Sequence, residues 1–186
     1  MRIKADFSDT VEQQAIPKDV YHAIIQKVET NLDDQGNVIF REGKTKNPMM
    51  TLTCQIDEGE YANTSPPTKI GNINVMLGGT TQKGAPMPLF MLANLVESTR
   101  CKASCGSCSA DLTGKLMYRG TGKDGYEAGH YYCPECKAKA IFEFDSDDLL
   151  GLPCRIAVDV EKAQGSDRDR NTVKKFLRED AADASA

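Results

Sequence analysis

Apolar residues fall into five extended patterns and one helical pattern along this chain. The first is Val20-Tyr21-His22-Ala23-Ile24-Ile25-Gln26-Lys27-Val28-Glu29, which follows a Pro17-Lys18-Asp19 turn. It is rich in β-branched residues and roughly alternating, which predicts a strand, with a helix as the competing reading. The second, Pro48–Ile56, puts Met50, Leu52, Cys54 and Ile56 on one face. The third, Thr68–Leu77, does the same with Ile73, Val75 and Leu77, and Gly78-Gly79 ends it. After Pro86-Met87-Pro88 the period changes: Leu89, Leu92, Ala93 and Val96 recur at helical spacing, and Phe90 and Leu95 widen the stripe. Cys154, Ile156, Val158 and Val160 alternate again, and Thr172–Leu177 supplies the last strand. Turn formers fill 31–47, with a short strand expected at Val38-Ile39-Phe40-Arg41.

Composition narrows the class. The chain has 186 residues, enough for one domain plus a small inserted module. No apolar run approaches the length of a membrane span, and the N-terminal residues lack the apolar core of a signal peptide. A cytoplasmic location is therefore expected, the host cytoplasm for a phage product. The net charge of −4 argues against coating nucleic acid by bulk positive charge, although a local basic groove is compatible with it.

Cysteine placement carries the clearest chemistry. Of seven cysteines, Cys54 and Cys154 lie in apolar runs and read as small buried hydrophobes. The other five lie between 101 and 136. Cys105-Gly106-Ser107-Cys108 and Cys133-Pro134-Glu135-Cys136 are two Cys-x-x-Cys turns, each of which aims two sulfurs at one point. Two such turns complete the tetrahedral shell of one zinc ion, and the intervening stretch is able to form a hairpin. The pattern resembles a zinc ribbon. A segment of about forty residues with few large apolar groups cannot bury an adequate core alone. Metal binding then supplies folding energy, on the order of 10 kcal/mol apparent. Four cysteine ligands leave no open position, so the site is expected to be structural. Cys101 or His130 as a replacement ligand, and a redox-active Cys-x-x-Cys, are the competing readings.

Catalytic signatures are sparse. With two histidines, no phosphate-cradling glycine loop and no nucleophile–base pattern, the chain is expected not to be an enzyme. Asp145, Asp147 and Asp148 are the one candidate magnesium cluster, and a solvated cap before Leu149 explains them equally well.

Taken without the cysteine segment, five strands with a helix after the third match an oligonucleotide-binding (OB) barrel. The chain also resembles bacteriophage single-stranded DNA-binding proteins of that fold. The likeness is carried by Pro17–Ile24, Asn47–Leu52, the Leu-x-Gly segment Leu149–Val158 and the terminal Asn171–Phe176. It implies an all-β fold with one helix, a five-stranded OB barrel from 16–99 and 146–178. A zinc ribbon, 100–145, is inserted between the helix and the fourth strand, and 179–186 form a flexible tail. It also implies sequence-independent binding and protection of single-stranded DNA in phage replication or recombination, with a replication or recombination enzyme as a further partner. Bases would stack on Phe40 and Tyr61, and on Tyr118, Tyr126 and Tyr131 of the ribbon; phosphates would follow Arg41, Lys44, Lys46, Lys69 and Arg119. The competing functions are a zinc-stabilised protein–protein interaction or assembly factor and, more remotely, a metal-dependent nuclease. Oligomeric state is not legible in the sequence.

Overall fold

The structure is a computed structural model that describes residues 15–39, 46–85, 87, 89–115, 118–119, 121–127, 130–139, 142–163, 165 and 167–177; for Tyr118, Arg119 and Phe142 it describes the backbone. The expected tail at 179–186 lies outside those residues.

Strands form where β-branched and alternating residues predict them: β1 Asp19–Thr30, β2 Met49–Ile56 and β3 Lys69–Met76. Helix α1 spans Phe90–Thr99, short strands β4 Ser104–Cys105, β5 Tyr118–Arg119, β6 Tyr131–Tyr132 and β7 Phe142–Glu143 follow, and β8 Pro153–Lys162 and β9 Asp169–Leu177 close the order. The strand expected at Val38–Arg41 is reduced, among the described residues, to one bridge between Leu32 and Val38. Phe40 and Arg41 lie outside the description.

The inward faces match their periodicity. Met50, Leu52, Cys54 and Ile56 of β2 are fully buried, and Ile25 of β1, Val75 of β3, Ile156 of β8 and Phe176 of β9 meet them. Helix α1 covers one side of this core with Leu92, Leu95 and Val96 and packs on β3, β8 and β9. Phe90, which widened the apolar stripe in the sequence, faces outward at 47 % exposure.

The expected OB barrel is not what these strands build. The sheet runs β3-β2-β1-β8-β9, with every neighbour antiparallel and no ladder joining β3 to β9. Five alternating strands leave the two outermost strands running in the same direction. Closure would need a parallel pair, which is less stable per residue than the antiparallel ones. The edge of β3 is also bulged: Gly71 and Asn72 stand where β2 supplies Thr53 alone, and Asn72 is left-handed, with φ 56°. A bulge of this kind kinks an edge strand and discourages further pairing. An open cleft of about 490 Å³ separates the two edges, lined by Lys69–Asn74 and Asp169–Val173. The segments that carried the likeness to phage single-stranded DNA-binding OB proteins build an open sheet and not the closed barrel which that likeness implied, so the likeness is corrected with the fold. The protein is a mostly-β domain with one helix and an open five-stranded antiparallel sheet.

The cysteine segment adds two further two-stranded sheets, β4 with β7 and β5 with β6. It does not stand apart from the main core. Cys101, Ala103, Cys105, Leu112 and Cys133 belong to the same buried cluster as the sheet residues.

Candidate metal centre

Each Cys-x-x-Cys segment folds into the same small turn, by the same hydrogen bonds. The Cys105 N–H donates to the Ala110 carbonyl (2.9 Å), and the Ser109 N–H donates to the Cys105 carbonyl (2.7 Å). In the second turn the Cys133 N–H donates to the Ala138 carbonyl (3.0 Å), and the Lys137 N–H donates to the Cys133 carbonyl (3.0 Å). Bridges seal both bases at equivalent positions, Ser104 with Asp111 and Tyr132 with Lys139. Just past the second cysteine, Ser109 and Lys137 both adopt left-handed backbone, φ 56° and 60°. A left-handed residue reverses the chain sharply enough for the amides to curl around the sulfurs, and it is costly for any residue with a Cβ. The two turns are thus near-copies that face one another. Lys115 ties the first to the second through Glu135, 3.3 Å away.

The four Sγ atoms converge. All lie within 4.8 Å of one another, with Cys108 and Cys133 at 3.9 Å and Cys105 and Cys136 at 4.0 Å. A tetrahedron with metal–sulfur bonds of about 2.3 Å has edges of about 3.8 Å, so the cluster is close to the required size. The donor set is all sulfur, which suits a soft or borderline tetrahedral ion. Electrostatics point the same way. N–H groups of Ser107 and Cys108, together with neighbouring thiols and against the opposing effect of burial, lower the Cys105 thiol to about 7. The Ala110 N–H also favours a thiolate at Cys108. Hydrogen bonds from the Cys108 S–H to Cys136, Cys105 and Cys133, with desolvation, outweigh it and push that thiol up to about 12. One thiolate is stabilised and the next is penalised, so a cation among them is what allows all four to ionise together.

Neither alternative ligand joins the cluster. Cys101 is fully buried, its thiol faces the Lys102 carbonyl at 3.6 Å, and burial with nearby Asp148 and Asp145 raises it to about 11. His130 pairs instead with Glu127, 3.2 Å away, and Glu127 also holds Lys139 at 2.8 Å. Cys54 and Cys154 are buried in the main core, where the hydrogen bond from the Cys154 S–H to Cys54 and desolvation drive the Cys154 thiol upward.

Among the described residues, those expected to contact nucleic acid lie in several separate places, and the aromatic ones make packing contacts from half-buried positions. Tyr61 meets Tyr21 edge to face, with ring centroids 5.8 Å apart, and packs against the main core. Tyr126 meets Tyr132 in the same way at 4.7 Å. Tyr131 packs on the shared core from β6, where Arg119 and Tyr131 are backbone partners, as are Tyr118 and Tyr132. Lys69 lines the cleft between β3 and β9, whereas Lys46 sits in the bend before β2. Phe40, Arg41 and Lys44 lie outside the described residues, as do the side chains of Tyr118 and Arg119.

Sequence reasoning missed the residues that brace the turns. Leu112, 2 % exposed, packs under the first turn, its N–H bonded to the Ala103 carbonyl at 2.9 Å. Tyr132, 5 % exposed, accepts the Glu127 N–H at its hydroxyl, 2.8 Å away. A single apolar residue a few positions after Cys108 was the available signal for Leu112. Nothing local distinguished Tyr132 from Tyr131 beyond their alternation.

Comparison with protein-family models gives no match for this chain, and comparison with curated proteins gives none either.

Proposed function

We propose that this protein is a zinc-stabilised protein–protein interaction or assembly module. The observation that carries the reading is the closed four-sulfur cluster. Zinc is the tetrahedral ion that four thiolates suit best without redox chemistry, and a shell complete in protein ligands leaves no position for substrate or activated water. The role left to such an ion is to hold a shape.

Three features support a protein partner. The net charge is −4, and a shallow surface pocket at the base of the first metal turn is lined by Asp111, Glu143, Asp145 and Asp148 against one cation, Lys102, a poor match for phosphates. Tyr61, Tyr126 and Tyr131 contribute to packing within the protein. The turn tips Gly106, Ser107 and Glu135 are exposed, on a backbone that the ion and the bridges make rigid, and rigid protruding turns bind with little ordering cost.

The test joins metal analysis to in-cell cross-linking. Elemental analysis of the purified chain is expected to give one zinc per molecule. Lysine-directed cross-linking is expected to join a protein partner at Lys102, Lys115, Lys123 or Lys137. Tight, salt-sensitive binding of a poly-dT oligonucleotide, with no cross-linked protein at those lysines, would overturn the reading.

A further inference from the structure

The four sulfurs differ in their access to solvent. In each turn the first cysteine is buried, Cys105 and Cys133 being 0 % exposed, while the second, Cys108 or Cys136, is at the surface. The first cysteine ends a bridged segment that packs on the shared core. The second sits at the outward side of the turn. Two sulfur–sulfur contacts cross from turn to turn, Cys108 to Cys133 at 3.9 Å and Cys136 to Cys105 at 4.0 Å, in a cluster whose four sulfurs all lie within 4.8 Å of one another. Each of these contacts joins one exposed sulfur to one buried sulfur.

We propose that the centre is an oxidation site, at which a hydroperoxide converts the two cross-turn contacts into disulfides, Cys108–Cys133 and Cys105–Cys136. The inference rests on the metal-site reading above and adds a second, metal-free state of the same turns. The exposed thiolate of Cys108 attacks the near oxygen of the peroxide. An S–O bond forms, the O–O bond breaks and hydroxide leaves. The oxygen now points to solvent, so the sulfur is open to displacement from the opposite, inner side, and there the Cys133 sulfur stands 3.9 Å away. Its attack forms the S–S bond and expels a second hydroxide. Two sulfurs have lost two electrons, the peroxide has been reduced to water with two protons from solvent, and the ion keeps its charge. Two remaining thiolates are too few for a closed tetrahedral site, so metal is released. A second peroxide repeats the sequence at Cys136 and Cys105. The product differs from ordinary Cys-x-x-Cys oxidation because the bonds tie turn to turn, the same link that the ion made.

The experiment uses the full chain as purified, with its zinc content measured first. One equivalent of hydrogen peroxide is added, released zinc is followed with a chromogenic chelator, and free thiols are blocked in acid before tryptic mapping. Lys115, Arg119 and Lys123 lie between the two turns, so a cross-turn disulfide joins two peptides while a within-turn disulfide stays inside one. The expected result is a pair of joined peptides, assigned by fragmentation to Cys108–Cys133 or Cys105–Cys136, in proportion to the zinc released. Single peptides lighter by two hydrogens, or zinc release with sulfinic acids and no joined peptides, overturns the proposal while leaving the zinc reading intact. A chain that carries no zinc at the outset defeats the zinc reading, and this inference with it.

Discussion

Ser109 and Lys137 hold the same left-handed backbone position in two turns separated in sequence, φ 56° in one and 60° in the other. Left-handed geometry costs an L-residue roughly 1–2 kcal/mol, and a β-branched side chain suffers most. Glycine at either position relieves that strain at the expense of a more flexible unfolded chain, so S109G and K137G should leave metal affinity nearly unchanged. S109V and K137V should each weaken it, by about tenfold for a cost near 1.4 kcal/mol. Competition against a chelator of known affinity measures both.

Cysteine substitutions should separate into two groups. C105S and C133S each remove a ligand from the convergent cluster and should lose the bound metal, with a lower melting temperature because binding is part of the folding energy. C54A, C101A and C154A should keep a full complement of metal, since none of these sulfurs belongs to the cluster. Their buried positions predict a loss of stability of about 1 kcal/mol each from the deleted sulfur. Elemental analysis beside thermal melts distinguishes the groups.

Gly79 marks a close approach in the main sheet. A Cβ there would fall 2.3 Å from the Asn47 side-chain oxygen, and the backbone, with φ 93°, disfavours any other residue. Asn47 clamps the start of β2 to the chain beyond β3, donating to the Thr80 carbonyl at 2.8 Å and accepting the Thr80 N–H at 3.2 Å. G79A should therefore displace Asn47 and cost about 2–3 kcal/mol from strain and lost hydrogen bonds together. Urea unfolding should show a lower midpoint with an unchanged slope, and N47A should account for part of the same loss.

The hairpin loop after β1 should be acid-sensitive. Asp33 accepts N–H groups from Asn37 and Gln35, which lower its carboxyl below the ordinary value of 3.8. A carboxylate with a lowered folded-state value stabilises the fold above the unfolded value, and that stability is lost as pH falls through the folded one. The protection of the Asn37 amide, its exchange rate measured against that of the free peptide at the same pH, should accordingly fall below pH 3.8 and stay flat above it. D33N should remove the pH dependence, and an unchanged profile in that variant would count against the assignment.

The strands and the helix were legible because burial on one face imposes a period of two or of 3.6 on the residues themselves. Met50, Leu52, Cys54 and Ile56 lie inward in the structure as their spacing required. The four ligands were legible for a related reason: a Cys-x-x-Cys turn is local, and its two sulfurs point together whatever surrounds it. How the sheet ends was not legible. Whether β3 meets β9 depends on strand directions, on the bulge at Gly71-Asn72 and on where α1 packs, and none of these leaves a periodic trace.

Local chemistry thus determined, from the sequence alone, which segments extend, which one coils and which four sulfurs are able to share an ion. The tertiary structure decided that the sheet stays open, that Tyr132 is buried while Tyr21, Tyr61, Tyr126 and Tyr131 lie half-buried against their neighbours, and that each metal turn buries one sulfur while exposing the other. The difference is physical: periodicity and turn spacing are properties of a few adjacent residues, whereas closure, packing and solvent access arise only when distant strands are brought side by side.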